Sequence, residues 1–173
     1  MIDRGPIRVL ALDLHPRRFG YVVVESPDRL LDWGVRSQRV KNYSSRRFVQ
    51  KRLRPLLDRW LPSVLILRKP KKTTSRGRPC SLFNHVVREA KYRRVQLGMP
   101  EKPIRRGKRL TKYENARRAA KRFAILRWRL PPKRRVWESE NYRTSIFTAA
   151  ILAMEELDIT MSPSAAFLSL VSR

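Results

Sequence analysis

Acidic residues are scarce in this chain, where 14 Asp and Glu stand against 41 Lys and Arg and leave a formal net charge of +27. Its one cysteine, Cys80, excludes an intrachain disulfide and favours a reducing compartment. No apolar run reaches the roughly 18 residues of a membrane span, and the N-terminal residues lack the apolar core of a signal peptide. The single cysteine and the lack of long apolar segments predict a cytoplasmic protein with no membrane partner. Association with the nucleoid is compatible with this prediction.

Enough apolar residues are present for a packed core, since hydrophobic residues make up 42% of the chain and aromatic residues 9%. We expect one domain over residues 1–158, followed by a tail over 159–173. Charge divides the chain: residues 1–35 carry five basic and five acidic side chains, 36–136 carry 34 and four, and 137–173 carry two and five. Such an excess repels itself unless a polyanion neutralises it, which favours a nucleic-acid partner, DNA first and RNA second.

The apolar pattern predicts an α/β fold in which a mixed sheet, with three antiparallel strands plus parallel strands, has flanking helices. Strands are expected at 7–14, 20–25, 30–35, 64–67 and 95–99. The first three are joined by short turns and should pair antiparallel, whereas a crossover helix should add the fourth in parallel. Helices are expected at 44–61 with a kink at Pro55, at 82–90, at 111–123 and at 141–157. Thr111 and Glu114 have the spacing of a capping box, and the Pro-rich stretch 128–137 predicts no regular element.

Asp13 is the one acidic residue placed inside a strongly apolar strand. Burying an ionised carboxylate without a partner is costly, so this group requires a metal ion or a cation. A structural alternative is an ion pair with Arg17 or Arg18 in the following turn.

The stretch LALDLHPRRFGYVVVE resembles the first hairpin of the ribonuclease H-like fold, as found in RuvC-type Holliday junction resolvases and the YqgF family. Asp13, Gly20 and the strand Tyr21–Val24 match that pattern in order and spacing. The element order also agrees, and WESENYRTSIFTAAILAM resembles the last helix of the family. The resemblance covers most of residues 7–157 and implies a nuclease that acts on branched or structured DNA.

The resemblance further implies Mg²⁺ held by Asp13 together with other carboxylates, because a hard cation prefers oxygen ligands. A second acid is expected at the end of the fourth strand, where this chain has Arg68, and a third inside the last helix, where it has Thr148. Glu138 and Glu140 are the candidate catalytic replacements, with Glu140 as the second metal ligand. Their alternative role is to place negative charge at a helix N-terminus. His15 could contact a phosphate or donate a proton, or be plain surface.

Basic residues in predicted turns and loops are the candidate nucleic-acid contacts, because acids are almost missing beside them. They are Arg17, Arg18, Arg68, Lys69, Lys71, Lys72, Arg76, Arg78, Arg105, Arg106, Lys108, Arg109, Lys133, Arg134 and Arg135. Four more cations on the following helix could extend the track: Arg117, Arg118, Lys121 and Arg122. Trp128 and Trp137 could stack on unpaired bases, pack against the core or cover the sheet edge. Glu25 is expected to be a solvent-facing strand end, and His85 has no expected role.

Three hypotheses follow from these residues. The first is a Mg²⁺-dependent endonuclease for branched or structured DNA. The second is a catalytically degenerate DNA- or RNA-binding protein within a nucleoprotein complex, which Arg68 and Thr148 favour. The third is a nuclease for RNA processing like the YqgF family, since one fold can serve both substrates. The oligomeric state stays open, with a dimer as one option.

Overall fold

Five strands form one mixed sheet in a computed structural model that describes residues 6–26, 28–38, 44–68, 81–100, 110–133 and 141–161. In chain order the strands are β1 (Arg8–His15), β2 (Arg18–Glu25), β3 (Arg29–Ser37), β4 (Val64–Leu67) and β5 (Gln96–Gly98). Their order across the sheet is β3-β2-β1-β4-β5. The first three strands pair antiparallel, whereas β4 joins β1 and β5 joins β4 in parallel. The predicted sheet is therefore confirmed, with β5 shorter than the expected 95–99.

Helices cover both faces of this sheet. In chain order they are α1 (Ser45–Phe48), α2 (Arg54–Trp60), α3 (Ser81–Tyr92), α4 (Lys112–Arg122) and α5 (Thr144–Met161). The predicted helices at 82–90, 111–123 and 141–157 correspond to α3, α4 and α5. No helix in the described ranges is long and apolar enough to cross a bilayer.

Pro55 interrupts the helix that was expected over 44–61. A π-helical segment, Val49–Leu53, separates α1 from α2, and Pro55 lies in the first turn of α2. Proline has no N–H for the intrahelical hydrogen bond and its ring clashes with the carbonyl one turn earlier, so the backbone widens there. Ser44 caps the start of α1, since its side chain accepts a hydrogen bond from the Arg47 backbone N.

The sheet has a hydrophobic core on each face, which explains why its central strands read as continuous apolar runs. Along β1, Val9 and Ala11 belong to the core under α4 and α5, whereas Leu10 and Leu12 belong to the core under α1, α2 and α3. This alternation is the period of two expected of a strand. Asp13 continues the series of Val9 and Ala11, so the fold places it on the side of α4 and α5.

A 3₁₀ helix, Ala124–Arg129, was not predicted and includes Trp128 and Arg129 from the stretch expected to be irregular. Leu126 is fully buried and Phe123, just ahead of the helix, is 3% exposed, so core packing fixes this segment despite its basic sequence. The capping box at the start of α4 is confirmed: Thr111 accepts from the Glu114 backbone N, and Glu114 accepts from the Thr111 backbone N. The tail from residue 162 onward, Cys80 and Trp137 lie outside the described residues.

Candidate nucleic-acid interface and its carboxylate pocket

Asp13 lies near the carboxyl end of β1, directly opposite Gly20 of β2. Residues two apart in a strand share a face, and His15 accordingly lies beside Asp13. The Nε2 atom of His15 is 3.1 Å from Oδ2 of Asp13, and the Asp13 side chain is only 17% exposed. The partner of this carboxylate is thus His15. The alternative pairing is wrong, because within the described ranges Asp13 forms its ion pair with His15 and none joins it to Arg17 or Arg18. Arg17 is exposed, and the buried Nε of Arg18 has no hydrogen-bond partner among the described residues.

Arg68 reaches the same place from the neighbouring strand. It follows β4 directly, and β4 runs parallel to β1, so the two strands end at the same edge of the sheet. Val64 and Ile66 lie in the core under α4 and α5, and the alternation continues to Arg68. The position where the resemblance implied a second acid therefore faces Asp13 and holds a cation.

The two helices on that face close the sides of a pocket of about 130 Å³ around Asp13. From α4 come Lys112 and Asn115, which are three residues apart and so share one helix face. The α5 helix supplies the remaining wall: Phe147, Thr148 and Ile151. The Thr148 hydroxyl donates to the Thr144 carbonyl oxygen at 3.2 Å, so its proton is used within the helix.

This donor set does not fit a divalent metal ion. Among the residues described, Asp13 is the one carboxylate that lines the pocket, and Arg68 and Lys112 bring positive charge to it. Mg²⁺ requires several oxygen ligands, and the described ranges contain no cluster of three His, Cys, Asp or Glu that could hold a metal. Glu138 and Glu140 lie outside the described residues, so the metal site proposed from Asp13 and Glu140 stays a prediction. The described walls instead carry two cations, Arg68 and Lys112, against the one carboxylate.

Asn115 adds an unsatisfied acceptor to this pocket. Its Oδ1 atom is buried and has no hydrogen-bond partner within the described part of the chain. Buried polar atoms are nearly always paired with protein, water or ligand, so an orphan acceptor beside a pocket is a place for a donor from outside. Sequence reasoning missed Asn115 and Lys112, because the capping box locates the start of α4 but not which of its faces meets the sheet.

The predicted basic contacts lie mostly in loops outside the described residues. Arg17, Arg68 and Lys133 are exposed, as a role in binding a phosphate backbone requires. Arg18, at the start of β2, is half-buried and lies in a strand. The remaining eleven lie outside the described residues: Lys69, Lys71, Lys72, Arg76, Arg78, Arg105, Arg106, Lys108, Arg109, Arg134 and Arg135. For these the role stays a prediction.

Glu25 is not the solvent-facing strand end that was expected. It is 8% exposed and accepts hydrogen bonds from Arg8 at 2.9 Å and from Arg29 at 3.3 Å. The two arginines come from β1 and β3, the strands on either side of β2. The residue pattern within one β-strand does not reveal cations that reach it from the neighbouring strands. Glu25 therefore forms structural ion pairs across the sheet.

The cations of α4 divide into two groups. Arg122 donates to Asp28 and Asp158, which ties α4 to the turn between β2 and β3 and to α5. Arg117, Arg118 and Lys121 are exposed on the outer side of α4. Arg122 is therefore structural, and the other three extend the positive surface away from the pocket.

Trp128 does not pack against the core, so that alternative is wrong for this residue. Its exposed fraction is 90%, the largest among the described exposed hydrophobic residues. The stacking interpretation therefore remains for Trp128.

The class defined by this topology is the ribonuclease H-like fold, in agreement with the resemblance seen in the sequence. No protein-family model and no curated protein sequence matches the chain. Solved structures do: Thermus thermophilus RuvC has a TM-score of 0.62 at 14% identity, over 90% of this chain and 96% of that one. The same enzyme in complex with a Holliday junction substrate has a TM-score of 0.58 at 14% identity, over 90% of this chain and 97% of the RuvC chain.

The yeast mitochondrial Holliday junction resolvase Ydc2 is also similar, with a TM-score of 0.54 at 13% identity over 95% of this chain and 84% of that one. Between 84% and 97% of each of these chains is matched, so the likeness extends beyond the first hairpin. At this level of identity the comparison establishes that the chain has the fold of RuvC-type resolvases.

Proposed function

We propose that this chain binds branched DNA, with a backbone phosphate received in the pocket beside Asp13. The observation that carries the proposal is the convergence of Arg68 and Lys112 on that pocket, at the end of two parallel strands in a resolvase fold. In open α/β sheets, ligands bind outside the carboxyl ends of the strands. One of the similar structures is a complex with a Holliday junction, which makes branched DNA the leading substrate.

The chemistry of the pocket supports a phosphate ligand. Arginine and lysine donate charge-assisted hydrogen bonds to phosphate oxygens, and Arg68 is exposed enough to reach a ligand from the rim. Asp13 accepts from His15 and so orients the imidazole ring against the pocket wall. Lys112 has its own partner within the protein, and its charge contributes to the local field at the pocket mouth.

A second candidate function is Mg²⁺-dependent cleavage of the same DNA. The observation that favours it is Asp13 itself, a carboxylate at the end of β1 in the pocket where the resemblance implies one. The described residues alone do not form the metal site, so this candidate depends on Glu138 and Glu140, which precede α5 in the chain. Its prediction is that these two acids complete the ligand set.

The two candidates separate in one assay. The wild type and Asp13→Asn are incubated with a labelled four-way junction, a duplex of equal length and a structured RNA, each with Mg²⁺ or with EDTA. Tight binding to the junction in EDTA, weakened steeply by salt, is the expected result of the first proposal. Cleavage that needs Mg²⁺ and is lost in Asp13→Asn would establish the second function as well.

A control variant of equal charge change is Asp58→Asn. Asp58 is on α2, across the sheet from the pocket, and its side chain is 62% exposed. Equal affinity for junction and duplex would exclude selectivity for branched DNA. Preference for the structured RNA would instead support the RNA-processing hypothesis.

A further inference from the structure

A second positively charged groove lies between α4 and the 3₁₀ helix Ala124–Arg129, and has a volume of about 510 Å³. Four cations line it: Arg117, Arg118, Lys121 and Arg127. The three from α4 have the spacing of one helix face, and Ala120 and Leu130 form the apolar floor. The walls of this groove share no residue with those of the Asp13 pocket.

The charge of this groove is not neutralised by the described acids. Glu114 is the one carboxylate among its lining residues, and its Oε2 atom is held at 2.6 Å by the Thr111 backbone N in the capping box. The neighbouring Arg122 is different, because Asp28 and Asp158 both pair with it on another side of α4. The four cations and the one carboxylate, that of Glu114, give the groove a net charge of +3. A polyanion would neutralise this charge.

An exposed aromatic residue lies in the 3₁₀ helix that forms one wall. Trp128 is 90% exposed and Ile125 is 52% exposed. Residues three apart in a 3₁₀ helix lie on the same side, so these two side chains form one apolar patch. Leu126 is fully buried in the core and fixes the segment that presents them. Trp128 does not itself line the groove, but it follows Arg127, which does, and its exposed indole offers a stacking platform for a nucleic-acid base next to that lining residue.

We propose that this groove binds an unpaired strand of nucleic acid, with its phosphates along α4 and a base stacked on Trp128. The combination of a cationic groove and an aromatic platform is how single strands are bound without sequence preference. An acidic peptide would satisfy the cations but has no base to stack on the indole. The inference rests on the proposed function, because branched DNA is the ligand that would bring an unpaired strand to this surface.

The position of α4 relates the two sites. Lys112 and Asn115, at its start, line the Asp13 pocket, whereas Arg117, Arg118 and Lys121 line the groove. A strand that leaves the pocket can therefore continue along the same helix. Duplex DNA would occupy the pocket side, and the unpaired segment of a branch point would occupy the groove.

The test measures the binding of a fluorescent 15-nucleotide oligo-dT by anisotropy in EDTA, for the wild type, Trp128→Ala and Trp128→Phe. Removing one stacked base weakens binding roughly tenfold in Trp128→Ala, and the Phe variant retains most of the affinity. Because Trp128 is almost fully exposed, the melting temperature should not change. Unchanged oligo-dT affinity in Trp128→Ala would overturn the stacking interaction.

The phosphate-binding role of α4 is tested with the double variant R117A/R118A. Its matched control is R88A/K91A, two exposed cations of α3 on the opposite face of the sheet. For a single strand, each phosphate that a cation no longer neutralises lowers the slope of log affinity against log salt by about 0.7. The slope should therefore fall by about 1.4 in R117A/R118A and stay unchanged in the control. An equal effect of the two double variants would contradict the groove.

Two further outcomes are decisive. A wild type that binds the four-way junction but not oligo-dT would overturn this inference while the proposed function stands. Displacement of oligo-dT by poly-glutamate of equal charge, at equal concentration, would also overturn it, because the groove would then be a site for acidic polymers in general. Displacement by oligo-dA but not by poly-glutamate is the expected result.

Discussion

Gly20 lies so close to the first turn of α5 that a Cβ atom there would come within 2.4 Å of the Ser145 carbonyl carbon. Because Gly20 has no side chain, α5 can pack directly against the backbone of β2 at this position. Gly20 is also the direct cross-strand neighbour of Asp13. The close approach therefore sets where α5 crosses the sheet, and with it the position of Thr148 in the pocket wall.

Gly20→Ala should destabilise the fold, because the added methyl group meets helix backbone that cannot rotate away. Overpacking of this kind costs about 1 to 3 kcal/mol. Gly34→Ala is the comparison, since its Cβ atom would meet the Tyr21 ring at 3.1 Å, a contact that needs a shift of only a few tenths of an ångström. Urea denaturation of both variants measures the difference. A Gly34→Ala variant that loses as much stability as Gly20→Ala would contradict this explanation.

Most of the fold could be predicted from local patterns. Dense apolar runs with a two-residue turn between them fix β1 and β2, and Thr111 with Glu114 fixes the start of α4. The resemblance also located Arg68 and Thr148 correctly, since a residue after β4 and a residue inside α5 must both approach the end of β1. These positions follow from topology once the strand order is known.

The missed features depend on tertiary packing. Lys112 and Asn115 enter the pocket because of the rotation of α4 about its axis, which α5 determines. Glu25 is buried because two arginines from adjacent strands reach it. The 3₁₀ helix is fixed because Leu126 packs in the core, a contact that the local sequence does not reveal.

Asp13→Asn should bind a four-way junction more tightly than the wild type in EDTA. In the absence of metal, the Asp13 carboxylate repels a phosphate in the pocket, and removing a nearby like charge gains about 1 kcal/mol, or roughly fivefold in affinity. The measurement is an anisotropy titration at low salt. Asp58→Asn controls for the general change in net charge. Weaker binding by Asp13→Asn in EDTA would show that the carboxylate itself supports the ligand.

The double variant R68E/T148D should acquire a divalent-metal site, because it places two carboxylates opposite Asp13 in the same pocket. The isosteric control is R68Q/T148N, which adds oxygen atoms but no negative charge. At a Mg²⁺ concentration of about ten times the dissociation constant, a ligand that binds only the folded state stabilises it by about 1.4 kcal/mol. Thermal denaturation with and without Mg²⁺ measures this.

An equal Mg²⁺ response in the wild type would show that the native chain already holds the ion. In that event the same measurement on Glu140→Gln would identify its second ligand. Absence of any response in R68E/T148D would contradict the prediction that carboxylates at these two positions complete a metal site with Asp13.

Glu89→Gln should remove part of the acid sensitivity of the fold. Glu89 is 7% exposed and accepts from Arg54 at 2.8 Å and from Arg93 at 2.9 Å. Burial alone would raise the pKa of Glu89, but the hydrogen bonds from Arg54 and Arg93 outweigh it and hold the pKa below the ordinary 4.5. A carboxyl whose pKa is lowered by folding stabilises the protein above its unfolded pKa, and that contribution is lost as the pH falls through the folded value.

The wild type should therefore exceed Glu89→Gln in free energy of unfolding by about 1.5 to 3 kcal/mol at pH 7, the size of a hydrogen bond to a charged group. The difference should begin to shrink as the pH falls below about 4.5, where the carboxyl of the unfolded chain takes up a proton, and should be lost as the pH falls through the lower pKa of the folded state. Urea denaturation at pH 7 and at acid pH measures both values, and taking their difference cancels the other carboxyl groups. A gap that stays constant with pH would mean that Glu89 acts through packing and not through its charge.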